Sequence, residues 1–115
     1  MNGGMEHLVD AHGCRKDALR DLATVRALLE KIVLRLELRV VGESQWHVFP
    51  GEGGVTGIYL LTESHLSIHT YPEHGLATLN LYCCRPKQPF PWPEELAAAL
   101  GAERVVVRCI ARGDA

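Results

Sequence analysis

The chain has 115 residues and a formal net charge of −2. That length holds one hydrophobic core rather than two. The near-balanced charge, without a long Lys/Arg run, argues against nucleic acid or anionic membrane as main partners, and no apolar run approaches the ~18 residues of a membrane-spanning helix.

Residues 1–7 lack the basic and apolar regions of a secretory signal. The four cysteines, Cys14, Cys83, Cys84 and Cys109, show no CxxC or zinc-ribbon spacing. Free thiols in a reducing cytoplasm are therefore expected.

Residues 7–11 form a short apolar run that reads as a first strand, ended by Gly13 and Cys14. Residues 16–36 read as one helix. Ala18, Leu22, Val25, Leu29, Ile32 and Leu36 recur at alternating four- and three-residue steps and make one apolar face. Asp17 and Asp21 suit its first turns, where the helix dipole favours acids. Residues 38–50 read as a second strand with a break at Gly42, followed by a Gly-rich loop over 51–54. Residues 55–61 are rich in β-branched and aromatic side chains and read as a third strand.

Residues 66–71 alternate Leu, Ser, Ile, His, Thr, Tyr; Pro72, Glu73, His74 and Gly75 make a turn, and residues 76–84 return. Four prolines in 85–93 exclude regular structure there. Residues 93–100 read as a short helix, with Pro93 at its start and Gly101 beyond its end. Residues 104–110 read as a last strand and 112–115 as a tail. This order predicts one α+β domain over 1–115, a two-layer sandwich with an antiparallel sheet covered by two helices on one face.

A hairpin closed at 72–75 pairs Tyr71 with Leu76, His69 with Thr78, Ser67 with Asn80 and His65 with Tyr82. Leu66, Ile68, Ala77, Leu79, Leu81 and Cys83 then share the core face. The other face carries His65, Ser67, His69, Tyr71, Thr78, Asn80, Tyr82 and Cys84, without a single Lys, Arg, Asp or Glu. Such a face suits a partner subunit or a pocket better than bulk water. Continued, the register places Cys84 opposite Glu63, so a bend at Ser64 is needed to aim Ser64 at Cys84. His69 stands about 16 Å from Ser64 along the strand, at about 3.3 Å per residue. If the three work together, Cys84 acts within the chain and His69 comes more easily from a second copy.

Three chemistries compete for these residues. A serine hydrolase lacks its GxSxG elbow, and His65 and His69 lie on the serine's own strand. A metal site on His65, His69, His74, Cys83 and Cys84 matches no common spacing, and Cys83 points to the other face. Ordinary hydrogen-bonded sheet histidines and a buried Cys83 are the bland reading. The third is attack of the Ser64 hydroxyl on the Glu63 carbonyl. This forms an ester whose elimination breaks the chain and leaves dehydroalanine, then a pyruvoyl group. It needs a strained Ser, a base and an oxyanion donor.

Glu63, Ser64, His65, Leu66, Ser67, Ile68, His69, Thr70, Tyr71, Pro72 and Glu73 in series resemble the signature of the short bacterial and archaeal S-adenosylmethionine decarboxylase proenzymes. The likeness extends upstream through Gly54, Val55, Thr56 and Gly57, and downstream from Ala77 to Cys84. The resemblance implies self-cleavage into 1–63 and 64–115, with a pyruvoyl cofactor made from Ser64 that forms a Schiff base with the substrate amine. It implies His69 as the processing base and Thr56 as the hydroxyl that stabilises the processing intermediate. It makes Cys84 the proton donor to the decarboxylated carbon, Glu73 the clamp on the substrate ribose and Phe49 the ring that stacks on adenine. No metal is implied. The implied assembly is a homodimer with active sites at the interface, acting on S-adenosylmethionine for spermidine synthesis. Arginine or ornithine as substrate, and a non-catalytic partner subunit, are the alternatives. Departures from the family pattern are Tyr71 where many members carry Trp, Thr56 for Ser, the extra thiol of Cys83 and a short tail after Arg112.

Overall fold

A computed structural model describes residues 3–84 and 89–113. Six strands, β1 (Gly4–His12), β2 (Gln45–Val48), β3 (Val55–Leu60), β4 (His65–Tyr71), β5 (Leu76–Cys83) and β6 (Arg104–Arg112), form one sheet of order β2-β3-β4-β5-β1-β6. Every neighbouring pair is antiparallel. Helices α1 (Lys16–Leu19), α2 (Leu22–Arg35) and α3 (Trp92–Leu100) contribute their buried side chains to one core on one face of the sheet. The chain is an α+β sandwich with its other face uncovered.

The core follows from the two periodicities. Val25, Leu28, Leu29 and Ile32 of α2 and Leu96 and Leu100 of α3 are buried against Val9, Val55, Leu66, Ile68, Leu79 and Leu81 of the sheet. Burying each such side chain contributes about 1.5–3 kcal/mol. The β4–β5 register pairs His65 with Tyr82, Ser67 with Asn80, His69 with Thr78 and Tyr71 with Leu76. A 3-10 turn over Pro72–His74 closes the hairpin and ends at Gly75, whose φ of 60° is left-handed and costs glycine little.

Four elements differ from the sequence reading. The single helix expected over 16–36 is two, because Asp21 is extended (φ −95°, ψ 105°). The buried Thr70 hydroxyl donates to the Leu19 carbonyl at 2.8 Å, where continued helix would place a backbone donor. Three helices, not two, therefore cover the sheet. The strand expected over 38–50 is confined to β2, preceded by one isolated bridge between Val40 and Leu61. Strand β1 is longer than expected, since it pairs along both edges, with β5 and β6. Of the irregular stretch expected over 85–93, residues 85–88 lie outside the described residues, and α3 begins at Trp92.

No helix among the described residues is long and apolar enough to cross a membrane. No group of three or more His, Cys, Asp or Glu that could hold a metal ion occurs among them.

Candidate active site

The open face of the sheet is a grid of cross-strand rows. One row runs His47 of β2, Thr56 of β3, His69 of β4, Thr78 of β5 and Asp10 of β1. A second, toward the other end of β4, runs Leu60, His65, Tyr82 and Glu6. The grid carries exposed apolar side chains, with Ile58 46% and Leu60 59% exposed. On the β1–β6 side it carries ion pairs of Asp10 with Arg108 at 3.0 Å and Glu6 with Arg112 at 2.5 Å.

The residues singled out from the sequence fall into two groups, one at each end of β4. At the turn end, Phe49, Thr56, His69 and Glu73 line one cleft of about 550 Å³, with Tyr71 and Glu52. Register makes Thr56 the direct neighbour of His69, and Thr56 Oγ1 lies 3.1 Å from His69 Nδ1. A hydroxyl at that distance fixes the ring's rotation about its own strand. Glu73 is exposed on the 3-10 turn, with its carboxylate free of the strand ladder. Phe49 is 52% exposed just beyond β2, where its N–H donates to the Gly54 carbonyl at 2.8 Å and closes the loop between β2 and β3. An ion pair of Lys16 with Glu52 at 3.1 Å ties that loop to α1.

At the other end, Glu63 and Ser64 sit in the short connection between β3 and β4. The Leu61 N–H donates to the Ser64 carbonyl at 3.0 Å, and the Thr62 N–H donates to Arg39 at 2.9 Å. The connection is thereby held from inside and from the segment before β2. The Cys84 thiol donates to the Glu63 carbonyl oxygen at 2.6 Å. Strand β4 starts only at His65 and β5 stops at Cys83, so the ladder opens where Cys84 turns toward Glu63. The side chain meets the main chain of Glu63 rather than the Ser64 hydroxyl. Ser64 does not have a positive φ; among the described residues Glu37 is the non-glycine that does. The connection is therefore tight without a left-handed serine.

His65 is held in the same region. Its Nε2 lies 3.0 Å from Asn80 Oδ1, and its ring lies 5.9 Å from that of Tyr82, whose hydroxyl donates to the Gly3 carbonyl. His74 is exposed on the turn, and Cys83 is buried in the core. Neither joins the cleft. All four cysteines are free thiols. Burial pushes the Cys14 thiol up to about 11, so it stays protonated at neutral pH and is a poor nucleophile.

Sequence reasoning passed over His47. It shares the open face with Thr56 by register, and its ring meets that of Phe49 at 4.7 Å. The available signal was the two-residue step from His47 to Phe49, which puts both on one face of a strand.

The arrangement thus offers a polarised main-chain carbonyl beside a serine at one end, and a histidine, a hydroxyl and a carboxylate in a cleft at the other. Comparison with known proteins bears on this combination. The family model for S-adenosylmethionine decarboxylase matches residues 5–113. The chain is similar to the S-adenosylmethionine decarboxylase proenzyme of Aquifex aeolicus, 34% identical over 111 residues that cover 96% of this chain and 81% of that one. It is also similar to the proenzyme of Symbiobacterium thermophilum, 39% identical over 98 residues, covering 84% and 73%. The crystal structure of the adenosylmethionine decarboxylase from Aquifex aeolicus superposes with a TM-score of 0.80 at 31% identity, covering 99% of this chain and 93% of that one. With its fold and nearly its whole length matched, the chain belongs to the S-adenosylmethionine decarboxylase family.

Proposed function

We propose that this protein cleaves itself between Glu63 and Ser64 and then decarboxylates S-adenosylmethionine to S-adenosylmethioninamine, releasing CO₂. The observation that carries the reading is the Cys84 thiol on the Glu63 carbonyl. It is the carbonyl that the following serine must attack for this chemistry to begin.

The Ser64 hydroxyl adds to the Glu63 carbonyl carbon while the carbonyl electron pair moves onto oxygen, against the Cys84 thiol and a hydroxyl of the Thr56 kind. The Glu63–Ser64 C–N bond breaks and leaves an ester with a free amine. His69 takes the Ser64 Cα proton, and the ester oxygen departs with Glu63 as a carboxylate. The dehydroalanine left behind takes up water and loses ammonia. The fragments are 1–63 and 64–115, the second starting with the pyruvoyl group. Bound to the substrate amine, that group supplies an electron sink for the pair freed with CO₂. Cys84 then returns a proton to the substrate carbon. In the cleft, Glu73 accepts hydrogen bonds from the ribose hydroxyls and Phe49 stacks on the adenine.

Ser64 and His69 are too far apart on one strand to share a substrate, at roughly 16 Å for five residues. We therefore assign the working unit as a homodimer in which two open faces meet, the cleft of one protomer receiving the Ser64 end of the other. The exposed Ile58 and Leu60 on that face support this, since such a surface is stabilised by a cover. The free thiol of Cys84 suits a reducing cytoplasm.

Mass spectrometry of the purified protein tests the cleavage, expected as two separate fragments, 1–63 and 64–115. Release of CO₂ from S-adenosylmethionine, but not from arginine or ornithine, tests the substrate. An intact, inactive chain after long incubation would overturn the reading.

A further inference from the structure

The ring of Phe49 is offered to a flat ligand in the cleft beside those of His69 and Tyr71, yet it is half exposed and lies beyond the last residue of β2. The loop that follows it contains glycine at 51, 53 and 54. A half-exposed ring with no neighbour to hold it would populate several rotamers, and ordering them would cost part of the stacking free energy. His47 counters this. It lies inside β2, opposite Thr56, so its own backbone is fixed by the ladder. Two residues along the extended chain, Phe49 falls on the same side. The two rings meet at a centroid distance of 4.7 Å with their planes at 87°. A perpendicular neighbour covers at most one face of the Phe49 ring and leaves the other toward the cleft.

We infer that His47 is a positioning residue for the nucleoside part of the substrate, acting through Phe49. This rests on the assignment of Phe49 as the adenine-stacking ring. His47 holds the Phe49 ring upright at the cleft rim through an edge-to-face contact, and in doing so sets substrate affinity rather than the chemical step. It belongs to the opposite end of β4 from Ser64 and Cys84, and its ring contact is with Phe49, not with His69. Aromatic pairs of this geometry change an equilibrium constant by about two- to tenfold.

The test uses the self-cleaved protein and four variants: His47→Ala, His47→Phe, Phe49→Ala and the double variant His47→Ala with Phe49→Ala. Three readouts are taken: the extent of cleavage at Ser64, kcat and KM for S-adenosylmethionine, and binding of adenosine by titration calorimetry. His47→Ala is expected to raise KM and weaken adenosine binding by about three- to tenfold, with cleavage and kcat unchanged. His47→Phe is expected to restore both, because it keeps the ring edge. The double variant is expected to match Phe49→Ala alone, since His47 has nothing left to hold. If Phe49→Ala weakens adenosine binding while His47→Ala does not, the positioning role is overturned and the stacking assignment stands. If Phe49→Ala leaves adenosine binding unchanged, the stacking assignment falls and this inference with it. Slower cleavage in His47→Ala would mean that it acts on Thr56 and His69 instead, which also overturns the inference.

Discussion

The Cys84 thiol rests 2.6 Å from the main-chain oxygen of Glu63, twenty-one positions earlier in the chain. A donor at that oxygen stabilises the negative charge that builds up when the Ser64 hydroxyl attacks. In the proposed mechanism Cys84 has two tasks at one place: it assists cleavage of the chain and later protonates the product. A thiol is a weaker donor than a backbone N–H. Cys84→Ala should slow self-cleavage by about tenfold, less than the loss of a strong oxyanion donor. Its effect on kcat should be larger, about a hundredfold or more, because no acid replaces it. A time course by mass spectrometry and CO₂ release from the cleaved fraction separate the two effects. Equal losses in both would contradict this division of labour.

Thr56 Oγ1 and His69 Nδ1 are 3.1 Å apart, and the proposed mechanism uses them as a pair. Thr56→Val keeps the shape and removes the hydroxyl. Cleavage should slow by about tenfold to a hundredfold, while Thr56→Ser should stay within about threefold of the parent. His69→Ala should stall at the ester, which hydroxylamine splits at once to give the two fragments. An amide still intact after hydroxylamine treatment would place His69 before the acyl shift instead.

The proposed dimer makes a prediction that no single chain can meet. Ser64→Ala and His69→Ala are each expected to remain uncleaved. Mixed and refolded together, the His69→Ala chain supplies Ser64 and Cys84, and the Ser64→Ala chain supplies His69 and Thr56. One site per heterodimer is then complete, so up to about half of the His69→Ala chains should cleave. Cleavage absent from the mixture, with heterodimers present by native mass spectrometry, would place the whole site within one chain.

Gly57 is a packing requirement rather than a turn. A Cβ there would come within 2.3 Å of the Trp46 ring, which packs edge-on against Tyr59 at 6.0 Å. Gly57→Ala should cost about 1–3 kcal/mol through overpacking, read as a lower Tm. Thr70→Val should cost a similar amount, about 1–3 kcal/mol. It leaves the buried Val55 N–H, now bonded to the Thr70 hydroxyl at 2.8 Å, without an acceptor.

Stability should fall at alkaline pH in a defined window. Burial raises the Cys14 thiol from 9.0 to about 11. Burial, then the hydrogen bond from its hydroxyl to Glu30, raises Tyr59 from 10.0 to about 12. Above pH 9 the unfolded chain has lost protons that the folded chain retains, so unfolding becomes easier as pH rises. The contribution is complete below pH 9 and is lost between about 9 and about 12. Denaturant midpoints measured from pH 7 to pH 11 check this, and Cys14→Ala should flatten the first part of the fall.

The sequence by itself determined the local units. The β4–β5 hairpin and its register were legible because Pro72, Glu73, His74 and Gly75 make the turn and the two-residue alternation fixes which side chains share a face. The apolar face of α2 was legible for the same kind of reason. Chain-wide resemblance pointed to Ser64, His69 and Cys84. The tertiary structure alone decided what depends on distant partners. The break at Asp21 carries no Gly or Pro and follows from Thr70, 49 positions later, taking the Leu19 carbonyl. The place of β1 between β5 and β6 joins the chain's two ends, which no local pattern encodes. The cleft gathers Phe49, Thr56, His69 and Glu73 from three strand ends and a turn, and the Cys84 thiol takes the main-chain oxygen of Glu63, the residue that the hairpin register already set opposite it. Periodicity fixes which face a side chain takes; only packed, hydrogen-bonded neighbours fix what it meets there.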